Sequence, residues 1–353
     1  MSVPFAILGA GWRAHFFLRI ANELPERFRV TGVMTRDAVR AASVTRQWST
    51  PIRSTLEELL RDRPAFVVVS VPRTVAPAVL RELSAKAIPV LAETPPAADR
   101  AGLAQLNDLA VADRRIQVAE QYQFQPLHAA RLEIVRRGLL GKVTQVQVSV
   151  AHDYHGIDLM RRYLGADLET VSIAGRRFVS PLVGGPDRDG LPAEERIDAS
   201  EQIIGWFDFD GCLGVYDYTE DQYFSWIRSP RLLIRGERGE IHNNTVRFLP
   251  DFNAPVAVKL TRRDTGHGGN LEGLYHAGIT FGDDWVYRNP FIPARLTDDE
   301  IAVATCLQRM AEYIEGGPPF CNLAEAAWDQ DLSLRMKDAA MSGKPVRAGA
   351  GWT

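Results

Sequence analysis

The feature that most constrains the fold is a glycine-rich turn between an apolar run at residues 5–8 and an amphipathic helical pattern. The turn reads Gly9-Ala10-Gly11-Trp12-Arg13-Ala14. Gly9 permits the tight turn, Gly11 lets the backbone approach a pyrophosphate, and the small Ala14 lets helix and strand pack closely. The start of the helix offers free N–H groups to phosphates. The turn therefore predicts a dinucleotide site, and we include Trp12 and Arg13 in it.

The first 120 residues alternate between short apolar runs and helical patterns. We expect strands at 5–8, 28–34, 66–69, 90–92 and 116–119, and helices at 14–24, 37–48, 76–86 and 99–113. A capping-box pattern at 54–57 opens a further helix that runs to residue 60. Repeated β-α-β units of this kind predict a parallel, doubly wound sheet.

The pattern changes near Gln121. A long helix at 126–140 is followed by a period-two segment at 144–150, which is typical of a half-exposed antiparallel strand. Further strands are expected at 170–174, 202–209, 212–218, 231–235, 245–249 and 256–260, long loops at 180–198 and 263–297, and helices at 298–315 and 323–340. The sequence thus predicts an α/β Rossmann domain at 1–120. It predicts an α+β domain with an open, mostly antiparallel sheet at 121–353.

The end of the second strand bears on the choice between NAD and NADP. An acidic residue at this point binds the ribose 2′-hydroxyl, whereas an arginine accommodates a 2′-phosphate. Here Thr35 is neutral, Arg36 is basic, and Asp37 is interpreted as a cap of the next helix. We expect NADP or NAD, with NADP favoured. The other residues assigned to the cofactor site are Val71, Pro72, Glu93, Thr94 and Gln121.

Several motifs, in their order along nearly the whole chain, resemble the glucose–fructose oxidoreductase and inositol dehydrogenase (Gfo/Idh/MocA) family. Besides the glycine turn, they are Leu56-Glu57-Glu58-Leu59-Leu60, Val90-Leu91-Ala92-Glu93-Thr94-Pro95, Phe124-Gln125-Pro126, Gly141-Lys142-Val143, His155-Gly156-Ile157-Asp158-Leu159, Ile234-Arg235-Gly236-Glu237-Arg238-Gly239 and Gly317-Pro318-Pro319. The resemblance implies reversible hydride transfer between a nicotinamide and a carbonyl or hydroxyl, commonly on a sugar or cyclitol. It also implies that the open sheet forms an oligomer interface, and we expect a homodimer or homotetramer.

Two catalytic groups that the resemblance implies are replaced in this chain. The family's lysine in a Glu-Lys-Pro motif is Thr94, and its catalytic aspartate corresponds to Ala151. The chain contains only five lysines among 41 basic residues, and none occupies position 94. The resemblance aligns His155 with the family's catalytic histidine.

The remaining candidates for chemistry lie close to His155. An imidazole is suited to moving one proton near neutral pH. We expect Asp153 or Asp158 to orient it, and Tyr154 or Tyr122 to supply the hydrogen bond that the lysine would have made. His152 is a further candidate, with a structural role as the alternative. His152, Asp153 and His155 are of metal-ligand type, but no convincing third or fourth ligand follows them at a diagnostic spacing, so no metal is expected.

Composition limits the classes of partner that this chain can bind and the compartment in which it is expected. With 41 basic and 44 acidic residues the formal net charge is −3, which argues against nucleic acid or an anionic membrane surface as a partner. No apolar run is long enough for a transmembrane helix, and the three distant cysteines suggest free thiols. We expect a cytoplasmic enzyme with a small-molecule substrate.

Three other functions stay open from the sequence. They are a lysine-independent imine or double-bond reductase, an oxidative glycosidase, and a non-catalytic dinucleotide- and sugar-binding regulator.

Overall fold

The computed structural model describes residues 2–112, 115–168, 170–188, 190–270 and 273–349. The first domain contains six parallel strands: β1 (Val3–Leu8), β2 (Phe28–Met34), β3 (Ile52–Arg53), β4 (Phe66–Val69), β5 (Val90–Ala92) and β6 (Ile116–Val118). Their order is β3-β2-β1-β4-β5-β6, the order of a doubly wound nucleotide-binding sheet. The helices are α1 (Ala14–Glu23), α2 (Ala38–Trp48), α3 (Leu56–Leu60), α4 (Ala76–Ala85), α5 (Arg100–Ala104) and α6 (Asn107–Ala112). The predicted Rossmann fold is confirmed.

Two local predictions in this domain were wrong in detail. The capping box before α3 lies one residue later than expected: Thr55 accepts from the Glu58 amide, and the Glu58 carboxylate accepts from the Ser54 amide. The single helix predicted at 99–113 is two short helices, because the chain turns at residues 105–106. Residue 113 lies outside the described residues.

The second domain contains an 11-stranded sheet. Its strands are β7 (Val143–Ser149), β8 (Val171–Val183), β9 (Ile197–Asp208), β10 (Leu213–Thr219), β11 (Arg231–Gly236), β12 (Gly239–His242), β13 (Thr245–Phe248), β14 (Val256–Thr265), β15 (Tyr275–Phe281), β16 (Asp284–Arg288) and β17 (Val346–Ala348). The order is β16-β15-β14-β13-β12-β11-β7-β10-β9-β8-β17. Neighbouring strands pair antiparallel except β7 and β10, which pair parallel. The predicted open and mostly antiparallel sheet is confirmed.

The helices of this domain are α7 (Pro126–Arg136), α8 (Asp153–Leu164), α9 (Asp298–Ile314) and α10 (Leu323–Ser342). Helix α7 ends four residues before the predicted end. Helix α8 was not predicted, because no periodic pattern was identified between residues 152 and 164. The loop expected at 263–297 contains β15 and β16, and the loop expected at 180–198 is shortened by the extension of β8 and β9.

The two C-terminal helices pack back onto the first domain. Ile301, Val303 and Leu307 of α9 share a core with Phe5 and Ile7 of β1. Helix α10 begins in the core formed by β4, β5 and β6, and it then crosses beneath β8 and β9. The division at residue 120 stays a prediction, and the two parts of the chain meet in shared cores. Among the described residues, no helix has the length and apolar character needed to cross a membrane.

Candidate active site

A cleft of about 1180 Å³ lies at the carboxyl ends of β1, β2 and β4. It is lined by the glycine turn, by Thr35 and Arg36, and by Val71 and Pro72, as the sequence predicted. At Gly9, φ is +113° and a Cβ would lie 2.0 Å from the carbonyl oxygen of Ser70, so only glycine fits. A Cβ on Gly11 would meet no heavy atom within 4 Å, so open space stands above the start of α1. This is the shape that a pyrophosphate requires.

Arg13 ties the glycine turn to three other parts of the chain. Its guanidinium donates to Glu93 at 2.9 Å and to Asp299 of α9 at 3.3 Å. With the Gln121 amide oriented to satisfy both of its polar atoms, the side-chain oxygen accepts from Arg13 at 3.2 Å. Burial opposes the charge of Arg13, but Glu93 and Asp299 outweigh it and raise the pKa above its ordinary value. Ala14 is fully buried behind the turn.

The far end of the cleft is rich in basic and hydroxyl groups. Asp37 accepts from the amides of Val39 and Arg40 and thereby caps α2, as predicted. Arg36 is exposed, and Arg40 lines the same cleft. Sequence reasoning missed Arg40, although it lies only one helical turn beyond Asp37.

Thr94, which replaces the expected lysine, contacts Tyr154. The Thr94 side chain acts to lower the pKa of the Tyr154 phenol, but Tyr154 is buried. Its ring centroid lies 4.3 Å from that of His155. Burial raises the pKa of Tyr154 above its ordinary value, so the phenol stays protonated and keeps an O–H to donate.

His155 is oriented by Glu120, a residue that sequence reasoning did not identify. Nδ1 of His155 lies 2.6 Å from Oε2 of Glu120, and both side chains are buried. The two aspartates expected in this role have other partners: Asp158 accepts from Arg162, and Asp153 accepts from Lys337. That expectation was wrong. The pair joins residues 35 positions apart, at the end of β6 and the start of α8, and α8 itself was not predicted.

Burial acts on both members of this pair. It lowers the pKa of the His155 imidazole well below its ordinary value, and the nearby His152 and Arg13 act in the same direction. Burial also raises the pKa of the Glu120 carboxyl well above its ordinary value, aided by Asp158. The pair therefore titrates as a unit that takes up one proton on passing from its base form to its acid form. In the acid form a neutral carboxylic acid meets a neutral imidazole, and in the base form a carboxylate accepts from Nδ1–H and leaves Nε2 free.

Aromatic side chains surround the histidine. The Tyr122 hydroxyl lies 2.8 Å from that of Tyr223, and the ring centroids of Tyr122 and His155 are 4.6 Å apart. The His152 amide donates to the Tyr223 hydroxyl at 3.3 Å. Among the described residues, Nδ1 of His152 has no hydrogen-bond partner. Tyr223 thus links Tyr122 to His152.

One lysine does reach this region from a distant element. Lys337 of α10 lies 2.8 Å from Asp153, 184 positions earlier in the chain. Although burial acts in the opposite direction, the neighbouring His152 and Lys337 together lower the pKa of Asp153 to about 2. Asp153 is therefore a fixed anion at the start of α8. In the part of the chain that the structure describes, no three histidine, cysteine or acidic side chains are grouped as metal ligands.

A Rossmann domain with a phosphate-binding turn, joined to an open-sheet domain that brings a buried histidine near it, defines a nucleotide-dependent oxidoreductase. Residues 3–121 match the Gfo/Idh/MocA family model, described as "Oxidoreductase family, NAD-binding Rossmann fold". The match spans the first domain and identifies it as an NAD-binding Rossmann domain of the oxidoreductase type. No curated protein matches the sequence.

Solved structures share the fold over the whole chain. A levoglucosan dehydrogenase in complex with NADH and levoglucosan is similar with a TM-score of 0.71 and 14% identity, covering 98% of this chain and 99% of its own. An NAD-binding oxidoreductase from Klebsiella pneumoniae has a TM-score of 0.68 and 15% identity, with 98% and 99% covered. A myo-inositol dehydrogenase from Corynebacterium glutamicum has a TM-score of 0.66 and 15% identity, with 99% of both chains covered. At these identities the likeness concerns the fold.

Proposed function

We propose that this protein transfers hydride between a nicotinamide dinucleotide and a small sugar-like, cyclitol-like or other cyclic substrate, with His155 as the proton shuttle. The observation that carries the proposal is the buried 2.6 Å contact between His155 and Glu120, beside the residues that hold the phosphate-binding turn. Solved structures of the same fold support the substrate class, since they include a levoglucosan dehydrogenase and a myo-inositol dehydrogenase.

The bound dinucleotide supplies the acceptor or donor of the hydride. In the oxidative direction the base form of the pair accepts the substrate hydroxyl proton at Nε2 of His155. In the same step the Nδ1 proton moves to Glu120, so the imidazole stays neutral while the carboxylate becomes a carboxylic acid. In the reductive direction the same steps run backward and return one proton to the new hydroxyl oxygen. Each turnover thus moves one proton through the pair, and no buried imidazolium has to form.

In this proposal Tyr154 and Tyr122 supply the hydrogen bond to the reacting oxygen that the missing lysine would have made. Tyr154 stands beside both Thr94 and His155, so its hydroxyl can donate to the reacting oxygen. Tyr122 is held by Tyr223, and its ring lies next to the imidazole. A phenol that stays protonated donates a hydrogen bond without supplying a full positive charge. His152 and Asp153 remain candidates for contacts to other substrate hydroxyls.

We infer that NADP is preferred over NAD. Thr35 offers no carboxylate to a ribose 2′-hydroxyl, and the carboxylate of Asp37 is occupied by backbone amides of α2. Arg36 and Arg40 line the cleft at this end. Arg40 is paired with Asp37 at 3.3 Å, so Arg36 is the guanidinium that favours a 2′-phosphate.

We also infer that the protein is a cytoplasmic homo-oligomer, a homodimer or homotetramer. One face of the large sheet packs on α8 and α10, and the other carries exposed apolar side chains. Phe178 of β8, Trp206 of β9 and Leu213 of β10 lie on this outer face and are 51%, 41% and 37% exposed. An apolar sheet face of this kind favours association with a second copy.

The proposed function is tested by turnover and cofactor binding in wild type and in His155→Gln. A panel of polyols, anhydrosugars, imines and enones is screened at 340 nm with both dinucleotides. The expected result is substrate-dependent reduction of the dinucleotide by wild type, and at least about a 100-fold loss in His155→Gln with cofactor affinity unchanged. Turnover confined to imines or enones would instead indicate a lysine-independent reductase. Glycoside cleavage without accumulated NAD(P)H would indicate an oxidative glycosidase, and cofactor binding without any turnover a regulator.

A further inference from the structure

We propose that Arg188, in the loop between β8 and β9 of the second domain, is a ligand of the dinucleotide phosphates. The inference rests on the proposed cofactor binding and adds a residue from outside the Rossmann domain. The guanidinium carbon of Arg188 lies 4.5 Å from the centroid of the Trp12 ring. Trp12 belongs to the glycine turn and lines the cofactor cleft. Arg188 therefore stands at the entrance of the phosphate site.

The second observation is that the positive charge of Arg188 has no acidic partner among the described residues. Within the described residues, Arg188 makes no ion pair and no side-chain hydrogen bond. Its guanidinium contacts Trp12 by stacking over the indole ring. Arg13, whose guanidinium carbon is 5.9 Å from the same ring, is already occupied by Glu93 and Asp299. A guanidinium that stacks on an indole still presents its N–H donors at its edge, where they can bind two phosphate oxygens.

The loop is held in place by packing and by hydrogen bonds of its own. The amide of Asp187 donates to the carbonyl oxygen of Gly190 at 3.0 Å, and Gly190 donates back at 3.3 Å. Gly185 packs so closely on the segment after Tyr223 that a Cβ there would lie 3.3 Å from the Cα of Ser225. The backbone that carries Arg188 is thus positioned against the domain that holds the substrate residues.

The indole is open enough for a ligand to join this contact. Trp12 is 57% exposed even with Arg188 stacked on it. Open space above Gly11 lies one residue away, where the pyrophosphate is expected. A dianionic pyrophosphate placed there would meet, at the edge of the site, a guanidinium that has no ion-pair partner among the described residues. We infer that the second domain closes the dinucleotide site through this one side chain.

The inference is tested by calorimetric titration of NAD+, NADP+ and ADP-ribose into wild type, Arg188→Gln and Arg188→Lys. Arg196→Gln, in the same loop but paired with Asp198, is the matched control. Arg188→Gln is expected to weaken all three ligands by about 5- to 30-fold, since each contains the pyrophosphate. Arg188→Lys is expected to recover part of the loss, and Arg196→Gln to bind as wild type. Thermal melting is expected to be the same in all four proteins, because Arg188 is exposed.

The outcomes separate this inference from the function on which it rests. Unchanged affinity of Arg188→Gln for NAD+ and ADP-ribose would overturn the inference while leaving cofactor binding intact. A loss for NAD+ without a loss for ADP-ribose would also overturn it, because the contact would then concern the nicotinamide end. Failure of wild type to bind any of the dinucleotides would overturn the proposed function itself.

Discussion

The Glu120–His155 pair makes a quantitative prediction for Glu120→Gln. Glutamine keeps the shape of the side chain and a hydrogen bond to Nδ1, but it cannot take up the proton. His155 must then become a buried imidazolium beside a neutral amide whenever it accepts the substrate proton. A buried hydrogen bond to a charged group contributes about 1.5–3 kcal/mol. The variant is therefore expected to lose about 10- to 150-fold in kcat/KM for alcohol oxidation.

The direction of the pH effect follows from the same pair. In wild type, oxidation requires the base form, so kcat/KM falls as the pH drops through the pKa of the pair, which lies above the ordinary carboxyl value. In Glu120→Gln the only titrating group is the imidazole, whose pKa is lowered by burial. The acid limb of the profile is therefore expected at a lower pH than in wild type.

Two measurements check this reasoning. The pH dependence of kcat/KM is followed at 340 nm with the substrate found in the panel, and Glu133→Gln, a surface glutamate paired with Arg136, is the control. Nitrogen-15 NMR of the imidazoles reports the protonated nitrogen directly, with His155→Gln assigning the signal among seven histidines. As the pH falls, His155 in wild type is expected to change from the neutral tautomer protonated at Nδ1 to the neutral tautomer protonated at Nε2. A His155 imidazolium forming near pH 6.5, or identical pH profiles in wild type and Glu120→Gln, would refute the proton-sharing pair.

Four further predictions concern the cleft and the sheet. Gly9→Ala is expected to destabilise the protein by about 2–5 kcal/mol in urea unfolding, because its Cβ meets the Ser70 carbonyl and φ is positive. Gly11→Ala is expected to have a free energy of unfolding within about 1 kcal/mol of wild type, yet to bind dinucleotide at least about 10-fold more weakly. Equal losses of stability in Gly9→Ala and Gly11→Ala would contradict this. Arg36→Ala is expected to lower the ratio of NADP to NAD affinity about 10-fold in titrations, and tighter binding of NAD than NADP by wild type would exclude the preference. Trp206→Glu is expected to sediment as a monomer and wild type as an oligomer in analytical ultracentrifugation. A monomeric wild type would rule out an interface on the outer sheet face.

Much of the fold could be predicted because its signals are local. The run from residue 5 to Ala14 specifies a strand, a turn and a helix start within ten residues. Gly9 has a steric reason within the chain, whereas Gly11 leaves open space for a ligand. The same holds for Asp37, whose capping role depends on amides two and three residues away. Helix α8 escaped prediction although it carries His155, and the strands β15 and β16 were taken for loop. The order of strands in the large sheet, including the parallel pairing of β7 with β10, has no local signal either.

The sequence by itself determined the Rossmann domain, the position of the phosphate-binding turn, the absence of a lysine at position 94 and the candidacy of His155. Only the tertiary structure decided what surrounds that histidine. Glu120 meets His155, Lys337 meets Asp153 and Arg188 meets Trp12 across separations of tens to hundreds of residues. The physical reason is that such contacts depend on how whole helices and sheets pack. A sequence pattern records only which side of its own element a residue faces.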